Sequence, residues 1–205
     1  MSGKRYIAAT RVLSGVIAGG LLAWTTISQL QSDRIPLIAL ASFFLLLICF
    51  TDTLNSRIPN LFTFSLAICG LAYHFWLDGF AGLGMAALGL TVGFSLLIIP
   101  YAMGGMGAGD VKCLAALGAL LGPAAIFQVF LYMGLAGGVL AILHYLLESN
   151  LREEIVAWGK RIGMSICVRD PRMMAPARSG AKLRFPYAAA IIFGFCAFEQ
   201  WGGLI

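Results

Sequence analysis

The chain has 205 residues, of which 60% are hydrophobic and only 11% charged, and it carries a net charge of +5. An ordinary soluble domain is about 25% charged, so a water-covered globular surface is excluded for most of this length. The apolar runs do not alternate, which argues against a β-barrel. Several approach the roughly 20 residues that cross a bilayer as a helix. The composition therefore predicts an all-α polytopic membrane protein, a single domain over residues 1–205.

In chain order, Lys4, Arg5 and Arg11 precede an apolar run over 12–30. The start resembles a signal peptide, but the run is long and no small-x-small cleavage site ends it, so a retained first span is expected. Residues 31–34 form a short polar turn. A second span is expected over 36–51, with Pro36 at a helix start, where its missing N–H is harmless. It ends at Asp52. Polar residues and then Ile58-Pro59-Asn60 follow, a sequence that favours extended chain before Pro59 and a helix beginning at it. A third span covers 60–77, with Trp76 as an interfacial anchor, and a fourth, rich in Gly and Ala, covers 81–101.

Next comes Met103-Gly104-Gly105-Met106-Gly107-Ala108-Gly109-Asp110-Val111-Lys112, four glycines around one carboxylate between two apolar segments. Residues 111–121 are apolar, but at 1.5 Å per residue they reach only about 16 Å, and Gly122-Pro123 stops them. A sixth segment covers 124–147 and a last one 185–202, giving about seven apolar helical segments and six to seven spans. Between these two, residues 148–184 form a polar, basic insert, in which Leu151, Ile155, Trp158 and Ile162 recur at helical spacing. That pattern predicts an amphipathic helix on the membrane surface, so membrane lipids are expected partners. The five cysteines are scattered without a Cys-x-x-Cys pair, and His74 and His144 lack ligand spacing, so neither a metal nor another cofactor is expected.

Lys and Arg set the orientation. With the N-terminus inside and alternating spans, thirteen of the fourteen fall on the inner side and only Arg34 outside. A basic chain of this hydropathy needs no nucleic-acid partner to explain its charge. The same alternation puts Asp52 and Asp110 at the inner, cytoplasmic face, delivered there by two independent loops. Acids at a bilayer edge are functional candidates. Two carboxylates that share a site cannot both ionise cheaply, so one holds a proton while the other stays charged. Such a pair can activate water and polarise a peptide carbonyl without metal or covalent intermediate. Proton or cation binding by a transporter is the competing use of the same acids, and a non-catalytic assembly scaffold is a third reading.

Asp52 followed by Arg57-Ile58-Pro59-Asn60, and then Gly107-Ala108-Gly109-Asp110-Val111-Lys112, resembles the type IV prepilin peptidases, a family of GxGD membrane aspartyl peptidases. Ala115-Ala116-Leu117-Gly118 and Arg184-Phe185-Pro186-Tyr187-Ala188 are similar as well. The resemblance covers residues 36–147 and returns at 184–194. It implies that Asp52 and Asp110 are the catalytic pair, with Gly107 and Gly109 letting the chain bring Asp110 to the substrate. Substrates would be prepilin or pseudopilin-like proteins with an apolar N-terminal helix, cleaved at the bacterial inner membrane. Larger members carry an insert with paired cysteines linked to N-methylation. Here the turn at 31–34 is short and no Cys-x-x-Cys occurs, which resembles the small peptidase-only branch of Flp-type tight-adherence pili.

Of the flanking residues, Arg57 reads as a topology signal or lipid headgroup partner. Lys112, two residues from Asp110, points elsewhere on a helix and could tune the local potential. Asn60 could cap the third span or hydrogen-bond near the acids, and Met103 and Met106 read as packing residues. The topology is open to test: single cysteines at Ser32 and Ser179, in a background without native cysteines, should label from outside and inside respectively. Labelling of both from outside contradicts this orientation.

Overall fold

The computed structural model describes residues 2–31, 34–55, 58–103, 106–147 and 187–203. Among these it forms six helices and no strand: α1 (Ser2–Ser28), α2 (Ile35–Asn55), α3 (Asn60–Ala102), α4 (Ala108–Leu121), α5 (Pro123–Leu147) and α6 (Tyr187–Trp201). Among the described residues, two stretches, Ile35–Leu54 and Asn60–Ala102, are long and apolar enough to cross a membrane. Arg57, Gly104, Gly105, the insert at 148–184 and its expected surface helix lie outside the described residues.

The two apolar segments expected over 60–77 and 81–101 both lie in α3, which breaks between them. Gly79 has φ 59° and ψ −135°, a left-handed conformation that glycine adopts without steric cost. Close contacts fix the course of the two arms. A Cβ at Gly70 would lie 2.7 Å from the Leu120 amide nitrogen, and one at Gly93 would lie 2.6 Å from the Leu114 carbonyl oxygen. His74 Nε2 is 2.9 Å from the Leu120 carbonyl oxygen. At the opposite end, Lys112 Nζ donates to Asn60 Oδ1. The first arm therefore runs alongside α4 in the same direction. The second arm runs against it, with Gly89 meeting Gly118 before Gly93 meets Leu114.

α4 thus lies between two arms that touch it backbone to backbone. Asp110, Val111 and every residue from Cys113 to Leu120 are buried. This resolves its shortness: a helix of 14 residues, about 21 Å long, is enclosed by neighbours and does not present its length to lipid. Gly122, at φ 85°, ends α4, and α5 starts at Pro123, where the sequence places the stop.

α5 carries α6 against it, where a Cβ at Gly194 would lie 2.6 Å from the Val129 carbonyl oxygen. α6 in turn meets α1 through Thr25 Oγ1 and Cys196 Sγ at 3.7 Å and a 3.0 Å bond from Gln29 Nε2 to the Glu199 carbonyl. α1 holds α2 through Thr26 Oγ1, which donates to Ser42 Oγ at 3.0 Å. Outside this bundle the faces are apolar, with Trp24, Phe43, Phe50, Phe64, Trp76 and Phe80 among the exposed side chains. Contiguous apolar surface of this kind is unusual on a soluble monomer. Lipid gives helices little hydrophobic reason to associate, so small residues and close van der Waals packing must hold them.

The backbone seam yields a stability prediction. A Cβ at Gly118 would fall on the Gly89 carbonyl oxygen, whereas one at Gly84 meets nothing within 4 Å. Gly118→Ala should destabilise the detergent-solubilised protein by about 1–3 kcal/mol. Gly84→Ala should be neutral or stabilise by about 0.5–1 kcal/mol. Equal melting temperatures for the two variants would contradict the seam.

Candidate active site

The site lies where the C-terminus of α2, the start of α3 and the start of α4 converge. Asp52 sits in the last turn of α2, half-buried. Its neighbour Thr53 faces α1, so that a Cβ at Gly15 would lie 2.7 Å from Thr53 Oγ1. Three residues past the end of α2 the described chain resumes at Ile58. Pro59 is extended (φ −63°, ψ 133°) and occupies the position before the helix, so α3 begins at Asn60, one residue later than the Pro start predicts. Pro59 still fixes the entry: its carbonyl accepts a bond from the Phe62 amide at 3.2 Å. The side chain of Asn60 does not cap α3.

Gly107 precedes α4 in extended backbone, at φ −85°. Its N–H donates to Asp110 Oδ2 at 3.1 Å, and the Asp110 N–H donates to the Gly107 carbonyl at 3.2 Å. Asp110 therefore closes the first turn of its own helix, where a carboxylate is also favoured by the helix dipole. This bond engages one carboxyl oxygen. A Cβ at Gly107 would lie 3.1 Å from Asp110 Oδ2, a close contact with the end of that side chain.

The two sequence motifs touch. A Cβ at Gly109 would lie 3.0 Å from Ile58 Cβ, so the loop after α2 packs directly on the first turn of α4. One turn further, Lys112 Nζ donates to Asn60 Oδ1 at 3.0 Å. Lys112 points away from Asp110, as the two-residue spacing requires, and its partner is the other motif. Neither contact is readable from the sequence, because each joins residues about fifty positions apart and no local pattern encodes it. Met106 packs against the core, as a packing residue should, while Met103 is exposed.

Asp110 is 8% exposed, but it lies in the first turn beside exposed Gly107 and Ala108, ahead of the apolar stretch that begins at Val111. Burial is the main influence on its carboxyl, and it favours the protonated form. The Gly107 N–H works against this, and the charge of Asp52 adds to it, leaving the carboxyl at about 6. The two acids therefore lie within electrostatic reach of one another, at a site where one can hold a proton that the other lacks. Among the described residues, no three His, Cys, Asp or Glu side chains group as metal ligands.

Residues 39–142, which include both motifs, match the model of the type IV leader peptidase family. The chain belongs to that family. It is 30% identical over 164 residues to a prepilin leader peptidase/N-methyltransferase of Aeromonas salmonicida, a match covering 76% of this chain and 53% of the relative. The protein of the same name from Aeromonas hydrophila matches over the same shares at the same identity. That of Neisseria gonorrhoeae is 37% identical over 141 residues, covering 64% of this chain and 47% of the relative. The chain thus spans about half the length of these curated relatives. No solved structure matches it.

The Ile58–Gly109 contact makes a prediction about the motif glycine. Gly109→Val should force the loop from α4 and destabilise the protein by about 1–3 kcal/mol. Ile58→Ala in the same chain should recover at least half of that loss by opening space. Unchanged thermal stability in Gly109→Val, or no recovery in the double variant, would contradict the docking of the two motifs.

Proposed function

We propose that this chain is a membrane-embedded aspartyl endopeptidase that removes the short N-terminal leader from type IV prepilin or pseudopilin-like substrates at the cytoplasmic face. What supports the reading is the position of Asp110, buried in the first turn of α4, where the charge of Asp52 reaches it from a separate motif. Family membership and the names of the curated relatives support the substrate class.

In this mechanism Asp110 holds the proton and Asp52 is ionised. Asp52 takes a proton from water, and the resulting hydroxide attacks the carbonyl carbon of the scissile peptide. Asp110 gives its proton to the carbonyl oxygen, forming a tetrahedral gem-diol. The gem-diol returns a proton to Asp110 as the carbonyl re-forms, the C–N bond breaks, and the proton on Asp52 passes to the leaving amine. No covalent intermediate is required, and the dyad regains its single proton. The substrate's apolar helix would stay in the bilayer while its basic leader lies on the inner side, where thirteen of the fourteen Lys and Arg residues of this chain also fall in the orientation argued above.

The reading is peptidase-only: the link between α1 and α2 is short, and the sequence has no paired cysteines of the kind associated with methyl transfer. Transport is disfavoured because both acids lie at one end of their helices, whereas transporter sites sit near the midplane.

Asp52→Asn and Asp110→Asn retain size and polarity but cannot exchange the proton. Each should abolish leader removal from a co-expressed prepilin while the protein still accumulates in the membrane, and the double variant should be little worse than either single one. In wild type, kcat/KM should fall about tenfold per pH unit as pH rises above about 6, because Asp110 then loses the proton it must donate. Near-normal cleavage by either single variant at matched expression would refute the aspartyl mechanism and favour transport or a scaffold.

A further inference from the structure

We propose that Asn60 and Lys112 form a latch that holds the first turn of α3, and with it the chain arriving from α2, in register with the start of α4, making both positioning residues for the dyad. The inference rests on the peptidase reading above for its catalytic consequence, and on geometry alone for the latch itself.

The structural problem is specific. Asp52 and Asp110 belong to different parts of the bundle. α4 is clasped by the arms of α3 through backbone contacts at Gly70, Gly89 and Gly93. α2 is held chiefly by α1, through Thr26–Ser42 and the Gly15–Thr53 approach. Near the acids, among the described residues, Ile58 of the link after α2 packs on Gly109, and Lys112 Nζ bonds at 3.0 Å to Oδ1 of Asn60, the first residue of α3. The first is an apolar contact with little directional preference. The second is a charge-assisted hydrogen bond, which has a preferred distance and angle. Together they set the separation and the register of the entry to α3 against the start of α4.

The bond is exposed, so it adds little to global stability; exposed polar pairs commonly contribute about 0–1 kcal/mol. Its value is positional. In a reaction that needs two carboxyls and a water in line, a misplacement of about 1 Å can cost about a hundredfold in rate. Because Asn60 and Lys112 act through the placement of the two acids, their removal should lower turnover rather than substrate binding. The bond requires an oxygen acceptor facing a cation across the gap. Asn60→Asp keeps the acceptor and Lys112→Arg keeps the donor.

The test compares Asn60→Leu, Lys112→Met, the double variant, Asn60→Asp and Lys112→Arg in membranes with a prepilin substrate. The expected result is a 10–100-fold fall in kcat for each of the first two, with KM within about twofold of wild type. The double variant should match the singles, and the two conservative variants should remain within about threefold of wild type. A second measurement needs no activity: spin labels at Leu61→Cys and Ala108→Cys, both exposed in the native protein, should show a narrow distance distribution that broadens on Lys112→Met. Unchanged kcat in Asn60→Leu and Lys112→Met, multiplicative losses in the double variant, a KM effect with normal kcat, or an unbroadened distribution would each overturn the latch. If wild type fails to cleave while the distribution still broadens, the latch stands and the peptidase reading fails.

Discussion

The close approach of α4 to the two arms of α3 sets everything else in this structure. Gly89 and Gly118 meet at their backbones, and Gly70 and Gly93 press against Leu120 and Leu114. Side chains are excluded from these lines, so the helices cannot slide or rotate without creating overlaps. Asp110 begins a helix that is buried along nearly its whole length, and its position follows from contacts two and three turns away. A loop alone would not hold an acid this firmly. Gly109 of the Gly107–Asp110 motif then serves a narrower purpose: it admits Ile58.

This placement creates the electrostatic character of the site. Burial disfavours the Asp110 carboxylate, and a second carboxylate within reach disfavours it further. The Gly107 amide pulls the other way, so Asp110 is poised near neutrality instead of being driven fully protonated. The two carboxyls thereby differ in environment, with Asp110 in the buried turn and Asp52 at the more open end of α2. Under the peptidase reading, this difference assigns the proton to Asp110 and the water to Asp52.

Much of the helical order was legible in the sequence, because its signals are local. Gly122-Pro123 marks the end of α4 and the start of α5, and Ile58-Pro59 places the start of α3 to within one residue. The shortness of the segment at 111–121 was visible, but its reason was not: enclosure by both arms of α3 depends on backbone contacts between distant glycines. Likewise, Asp52 and Asp110 could be assigned to one face by counting charges, whereas their proximity needed the packing of α2 and α4 on common neighbours. Lys112 shows the limit most clearly. Its spacing correctly turns it from Asp110, but nothing local names Asn60 as its partner.

The central claim is that Asp52 and Asp110 act on one another at the mouth of the bundle, and titration of Asp110 tests it most directly. Protein labelled with ¹³C at aspartate carboxyls, with Asp110→Asn used to assign its signal, would be followed across pH in wild type and in Asp52→Asn. The account predicts a wild-type midpoint at about 6, lowered in Asp52→Asn yet still above the ordinary aspartate value of about 3.9, because burial remains. A wild-type midpoint in the ordinary carboxylate range, or one that Asp52→Asn leaves unmoved, would contradict it.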